Sequence, residues 1–98
     1  MDIDTIRFMV RQGWIKFSDE ALKRMVEREV ESDQIIDVIC QGRIIREEVK
    51  QKKGFPKCTI LGHTTRKVAG LLLPELQGLY VACAVGDEVV IITTYWEG

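Results

Sequence analysis

Residues 79–96, LYVACAVGDEVVIITTYW, decide the fold class of this 98-residue chain. The two halves of the stretch, Leu79–Val85 and Val89–Trp96, are rich in Val, Ile, Thr and Tyr, which favour β-strands. The residues that join them, Val85–Glu88, are typical of a hairpin turn. Large apolar residues occupy every second position of the first half. The second half is apolar on both sides, as expected of a strand in the middle of a sheet.

Two more strands are predicted upstream of this hairpin, Arg43–Lys50 and Lys57–His63, separated by Gly54-Phe55-Pro56. The segment Arg66–Gly78, RKVAGLLLPELQG, is apolar and is interrupted by glycine and proline. It fits a helical turn, an extra edge strand or an ordered loop, and the pattern does not distinguish among them.

Residues before Gly42 follow a helical period. The predicted helices run from Asp2 to about Gln12, from Asp19 to about Val30 behind the N-cap Ser18, and from the cap Ser32 to Gly42. Their expected core residues include Ala21, Leu22, Met25, Val26, Ile35, Ile36 and Ile39. A short extended piece, Trp14–Phe17, joins the first two helices. Helices followed by strands predict an α+β fold, with N-terminal helices packed on one face of a four-stranded, mainly antiparallel sheet.

Charge and composition describe an ordinary globular chain. The formal net charge is -1, with Lys+Arg 14 against Asp+Glu 15, and 46% of the residues are hydrophobic. This balance excludes nucleic-acid binding through bulk positive charge and leaves room for local basic patches. The N-terminal residues lack the apolar run of a signal peptide, and the longest apolar stretches are too short to span a bilayer. We therefore expect a cytoplasmic protein that does not enter the membrane.

Three cysteines, Cys40, Cys58 and Cys83, are widely spaced and form no CxxC pair. Each lies in an apolar run, where a free cysteine behaves as a small core residue. The alternatives are a metal site completed by His63 and a catalytic thiol, but neither the ligand spacing nor an activating base is present. We expect no metal and no cofactor.

Strand alternation predicts which side chains share a sheet face. On the second strand, Cys58 and Ile60 point one way. On the last strand, one face carries Thr93 and Tyr95 and the other carries Thr94 and Trp96. The face opposite the helices is predicted to hold His63, Tyr80 and one of these two pairs, provided that no bulge shifts the alternation.

Five stretches in order resemble a bacterial family catalogued as domain of unknown function 4258. They are FSDEALKRMVEREV (17–30), GRIIRE (42–47), GFPKCTILGHT (54–64), LYVACAV (79–85) and VVIITTYW (89–96). This family is similar in fold to RelE-like and MqsR-like ribonuclease toxins. The resemblance covers roughly residues 15–97 of a chain taken as one domain, 1–98. It leaves out the extra N-terminal helix (1–13) and is interrupted by the apolar insert (66–78).

The family's helix motif, Ala-x-x-Arg-Met-x-x-Arg, and its strand motifs match this chain at Ala21, Arg24, Met25, Arg28, Pro56, Cys58, Gly62, Ile92, Thr93 and Tyr95. Two positions that customarily hold histidine are occupied instead by Glu20 and Tyr80. The resemblance therefore implies the toxin fold, whereas the missing histidines predict weakened cleavage.

Metal-independent RNA cleavage needs a base, an acid and cations that stabilise the charged phosphate. The candidate catalytic residues are His63, Tyr80, Tyr95, Arg24 and Arg28, and the candidate phosphate-binding residues are Lys57, Arg66 and Lys67. His63 is the only histidine, and imidazole is suited to proton transfer at neutral pH. Each candidate also has a structural alternative: an ion-paired helix face for the two arginines, and packing for the tyrosines.

Two functions follow as expectations. The first is a toxin–antitoxin-type endoribonuclease module, weakened in catalysis, with RNA as substrate and a small zinc-finger antitoxin of the YgiT type as partner. The alternative is a non-catalytic protein-binding or dimerising domain of the same fold, whose contact surface is the Leu71–Leu76 region. The run Arg46–Lys53, REEVKQKK, is expected to be a solvated strand end and loop rather than an RNA-tracking arm.

Overall fold

Helices precede the main strands in the computed structural model, which describes residues 1–48 and 54–98. The elements of these residues are α1 (Ile3–Arg11), β1 (Ile15–Phe17), α2 (Asp19–Glu27), α3 (Ser32–Gln41), β2 (Arg43–Glu48), β3 (Lys57–Thr64), β4 (Lys67–Val68), β5 (Leu71–Leu72), β6 (Gln77–Val85) and β7 (Val89–Trp96). The predicted end of the strand Arg43–Lys50, and most of the predicted loop Arg46–Lys53, lie outside the described residues.

The main sheet has the strand order β1-β7-β6-β3-β2, and all its pairs are antiparallel except β1 with β7. The predicted α+β class and the mainly antiparallel sheet are therefore confirmed. The strand number was wrong, because the sheet has five strands rather than four. The extended piece Trp14–Phe17 is not a mere linker: Ile15 pairs with Val89, and Phe17 pairs with Ile91. A segment of three residues shows too little alternation for the sequence to predict a pairing with so distant a strand.

Within the insert 66–78, β4 and β5 form a small hairpin that lies outside the main sheet, whereas the last two residues, Gln77 and Gly78, begin β6. The turn residues of the hairpin, Ala69 and Gly70, both have positive φ, 52° and 81°, as a two-residue type I′ turn requires. Alanine resists this conformation, but both backbone N–H groups donate to the carboxylate of Glu29, at 2.8 Å and 3.1 Å. This anchor ties the hairpin to the end of α2.

One face of the main sheet is covered by the three helices. Helix α3 contacts β3 and β6, α2 contacts β7 and β1, and α1 contacts α3 and β7. The fully buried side chains of this interface include Ile6, Ile35, Ile39, Ile60, Leu79, Val81 and Ile91. Because two of the helices rest directly on different strand pairs, the covered face is continuous from β1 to β3. The opposite face has no such cover among the described elements.

Helix α2 presents a different face to the sheet from the one predicted. Ala21 is buried and Met25 is half-buried, but Leu22 is 49% exposed and Val26 is 82% exposed. The prediction that all four face the core was therefore wrong for these two. The helix also ends at Glu27 rather than near Val30, because Glu29 turns the chain with φ 53°. Apolar spacing marks a stripe on a helix, and only tertiary packing decides how much of that stripe is covered.

The helix ends confirm one predicted cap and correct another. Ser18 caps α2, since its Oγ accepts from the N–H of Ala21 at 3.0 Å. Ser32 is the first residue of α3 and not its cap. Glu31 takes that role in a reciprocal capping box with Gln34, and Gly42 ends the helix as predicted. None of the helices in the described part of the chain is long and apolar enough to cross a membrane.

Truncating Ile60 should test the covered face. Ile60 is 0% exposed, so Ile60→Ala removes buried methyl groups and leaves a cavity, which is expected to lower the free energy of unfolding by about 2–5 kcal/mol. Leu71→Ala is the matched control, because Leu71 is 75% exposed and its truncation should cost less than about 0.5 kcal/mol. Urea denaturation measures both, and equal costs for the two variants would contradict this packing.

Candidate functional site

The sheet face that the helices leave uncovered, which we call the open face, carries a row of polar side chains. Arg46, Thr59, Ala82 and Thr93 lie side by side on β2, β3, β6 and β7 through direct register pairs. Lys57 and Tyr95 lie on the same face, two residues from this row on their own strands. The open face therefore brings together cationic, hydroxyl and aromatic groups from four strands.

A shallow recess of ≈ 270 Å³, which we call the open-face pocket, lies over this row. It is lined by Arg46, Glu48, Lys57, Cys58, Thr59, Ala82, Ile92, Thr93 and Tyr95. The short side chain of Ala82 lies between Thr59 and Thr93, so the row is lowest there, while the long side chains of Arg46, Lys57 and Tyr95 surround it. The arrangement can receive a ligand that carries both an anionic group and a flat ring.

Two register shifts determine which side chains of β2 and β7 lie on the open face. In the β2–β3 pair, Ile44 faces Ile60 and Arg46 faces Thr59, so Ile45 is left over. In the β6–β7 pair, Ala82 faces Thr93 and Cys83 faces Ile91, so Ile92 is left over. Each extra residue reverses the alternation beyond it. The shifts place Arg46 and Tyr95 on the open face and bury Thr94, which is 0% exposed.

The open face also holds a stacked tyrosine pair. The rings of Tyr80 and Tyr95 lie 4.8 Å apart between centroids, at 19° between planes. The hydroxyl of Tyr80 donates to Oε2 of Glu97 at 3.2 Å, and the Glu97 side chain lies over Gly78, where a Cβ would collide with it. Partial desolvation and the negative charge of Glu97 raise the pKa of Tyr80 above its ordinary value of 10.0. Tyr80 is therefore a proton donor at neutral pH and not a base.

His63 lies on the same strand face, but outside the lining of the open-face pocket. It is exposed and pairs in register with Gly78, one row beyond the pair of Leu61 with Tyr80. Its backbone carbonyl accepts from Nε2 of Gln41 at 2.8 Å. The register confirms the predicted grouping of His63 and Tyr80 with one of the two pairs of β7, and it identifies that pair as Thr93 and Tyr95. The structure places the imidazole at the end of that group rather than at its centre.

The two candidate arginines of α2 lie on the helix side of the sheet. Arg24 binds Glu20 and Glu27, at 3.0 Å and 2.8 Å. Arg28 donates to the carbonyl of Thr94 at 2.7 Å. Because the sheet separates them from the stacked tyrosines, these hydrogen bonds tie α2 to itself and to β7. They do not complete a catalytic group on the open face.

Of the three predicted phosphate-binding cations, only Lys57 lines the open-face pocket. The guanidinium of Arg66 lies 4.9 Å from the centre of the Trp96 ring, whose Nε1 donates to the carbonyl of Arg28. Lys67 lines a separate recess with the acidic residues Glu29, Glu31 and Asp33, a setting that disfavours phosphate. Arg46 was not among the candidates, because its run, Arg46–Lys53, was expected to be a solvated strand end and loop. The shift at Ile45 places it on the open face. Across residues 1–48 and 54–98, no group of three or more potential metal ligands is present.

The Tyr80 hydroxyl provides a test of this geometry by ultraviolet titration of tyrosinate. Tyr95→Phe leaves one tyrosine, whose transition is expected above the ordinary pKa of 10.0, and adding Glu97→Gln should lower it. The folded state holds this proton more tightly than the unfolded state. The associated stability is therefore complete below pH 10.0 and is lost as pH rises through the folded pKa. A transition at or below 10.0 would contradict the contact with Glu97.

No curated protein and no solved structure matches the chain. The family model described as Domain of unknown function (DUF4258) matches residues 17–96. This range contains the last residue of β1, the helices α2 and α3, and all of the strands from β2 to β7. It includes the whole open face except Glu97 and leaves α1 outside. The chain therefore belongs to the DUF4258 family, as its sequence motifs predicted.

Proposed function

We propose that this protein is a toxin–antitoxin-type module that binds single-stranded RNA on its open face and cleaves it slowly. The observation that carries the proposal is the open-face pocket, in which Arg46 and Lys57 lie on the same sheet face as the partly exposed Tyr95. A guanidinium and an ammonium bind phosphate, and an aromatic side chain on a sheet supports a nucleobase by stacking. One nucleotide presents both groups.

Charge limits how the RNA is held. The net charge of -1 gives no broad attraction, and Glu48, paired in register with Lys57, lines the same pocket. Binding must therefore rest on a few local contacts. Arg46 is the main one, because its planar fork matches a phosphate better than a single ammonium does. Moderate affinity with a shallow salt dependence follows.

Among the described residues, the open face lacks a well-placed general acid and base for rapid cleavage. The proposal of a metal-independent endoribonuclease, with a YgiT-type zinc-finger antitoxin as partner, rests on the resemblance to RelE-like and MqsR-like toxins that the sequence motifs imply. However, Tyr80 holds its proton and bonds to Glu97, and His63 lies outside the pocket lining. A missing general acid or base typically costs 10²–10⁴-fold in rate, roughly, so cleavage should be slow.

RNA binding tests this function directly. Arg46→Ala and Lys57→Ala should each weaken binding of a fluorescent single-stranded RNA roughly tenfold at low salt, because each removes a charged phosphate contact. Each should also reduce the slope of log affinity against log salt by about one contact. Lys23→Ala, an exposed cation on α2, is the matched control and should change neither. Product analysis of the same mixtures measures cleavage.

Two results would count against RNA as the ligand: no binding by the wild-type protein at low salt, or equal loss in all three variants. Fast cleavage by the wild-type protein would leave the binding face intact and refute only the weakened activity.

A second candidate is the dimerising domain, and the exposed hairpin favours it. Leu71, Leu72 and Leu76 are 75%, 61% and 59% exposed, and Glu29 fixes the hairpin to the end of α2. Leu22 and Val26 of α2 are exposed as well. Burying these apolar side chains against a second surface removes them from water and lowers the free energy of the system. The occupant we propose for this candidate is a second copy of the chain.

Light scattering over a range of concentrations tests the dimer. The wild-type mass should double with concentration, and Leu71→Gln combined with Leu72→Gln should restore the monomer because it removes most of the apolar contact. Phe8→Gln, at a 53% exposed aromatic on α1, should leave the dimer intact. A monomeric mass at all concentrations would eliminate the dimer and leave the RNA proposal unaffected.

A further inference from the structure

Two cysteines lie side by side beneath the open face. Cys58 on β3 and Cys83 on β6 are direct register partners, and their Sγ atoms are 3.6 Å apart. Both belong to the covered face, where Cys58 is 3% exposed and Cys83 is 0% exposed. The two thiols are free and are within hydrogen-bonding distance of each other. A buried pair of thiols in contact is a redox-active arrangement if their geometry permits a bond.

The strand register supplies that geometry. Directly paired residues of antiparallel strands have Cα atoms about 4.5 or 5.5 Å apart, and disulfides span Cα separations of about 4.4–6.8 Å. A bond of about 2.05 Å requires the two sulfurs to approach by roughly 1.5 Å from their present distance. Rotation about χ1 of the two side chains moves sulfur atoms by this amount, so the strands can keep their pairing.

We propose that Cys58 and Cys83 form a two-thiol oxidation site, which a peroxide converts to a disulfide that joins β3 to β6. This inference goes beyond the proposed function and does not depend on it. It also departs from the expectation that all three cysteines are inert core residues, because burial alone does not predict contact between two of them.

The chemistry balances with one molecule of hydrogen peroxide. The Cys58 sulfur attacks a peroxide oxygen, the O–O bond breaks, and a sulfenic acid and water result. The Cys83 sulfur then attacks the Cys58 sulfur, the S–O bond breaks, and the released hydroxide takes the Cys83 proton to give a second water. Two thiols are oxidised by two electrons, and the peroxide is reduced to two waters.

The order of the two steps follows from the surroundings of each thiol. The hydrogen bond from Cys83 lowers the pKa of Cys58, whereas that bond and burial raise the pKa of Cys83. Cys58 is thus the better nucleophile. Of the two side chains, Cys58 is also the more exposed, at 3% against 0% for Cys83.

The test uses the full chain, reduced and then treated with hydrogen peroxide under native conditions. Thiols counted after unfolding should fall from the three in the sequence to one, and a non-reducing peptide map should show one bond, between Cys58 and Cys83. Cys40→Ala should lose both of its thiols in the same treatment. Cys83→Ala should give no intrachain disulfide, and its Cys58 should stop at a sulfenic or higher acid.

Oxidation in concentrated urea is the reference, because an unfolded chain should pair its three cysteines as a mixture. A single bond in the folded protein and a mixture in urea support the proposal. Retention of all three thiols, at a peroxide dose that oxidises glutathione completely, would overturn it. So would a folded-state map in which Cys40 takes part in the bond.

Discussion

Burial of one face of a five-stranded sheet under three helices is the interaction on which the rest of the structure depends. The apolar side chains on one face of β3, β6 and β7 pack against the helices. Cationic side chains on that side also make structural contacts. Arg28 holds the carbonyl of Thr94, and Arg66 stacks on Trp96. The opposite face retains the side chains that packing does not need. Polar side chains that can contact a ligand therefore lie on the open face, whereas Arg24 and Arg28 stabilise the fold.

Much of the fold was predictable because its signals are local. The three helices follow from apolar spacing and caps, and the β6–β7 hairpin follows from two β-rich runs around a turn. The failures lie where distant contacts decide. Three residues of β1 become a strand only because β7 accepts them as a parallel neighbour. Leu22 and Val26 have core spacing, yet Ala21 and Met25 provide the contact that the sheet can accept.

The candidate site was predictable in part, and one kind of irregularity limited the rest. Alternation correctly predicts that His63 and Tyr80 lie on one face. It fails at Ile45 and Ile92, since an extra residue in one strand is invisible without its partner. The choice between the two pairs at the end of β7 stayed open for this reason. Arg46 was missed because its charged run is typical of a solvated strand end. The contact of Glu97 with Tyr80 was not predicted, because the Glu97 side chain occupies space that is free only since residue 78 is glycine.

The parallel pairing of β1 with β7 has a consequence for how the chain acquires its structure during synthesis. Strand β7 pairs on both sides and supports α2, yet it is separated from β1 by more than seventy residues. Until β7 leaves the ribosome, β1, α2 and β6 each lack their main neighbour. Contacts this distant in sequence form slowly. The apolar stripe of α2 therefore remains exposed until β7 is in place. Slow translation before residue 89 would lengthen the time for which this stripe is exposed, and a chaperone that binds apolar stripes would shield it during that time.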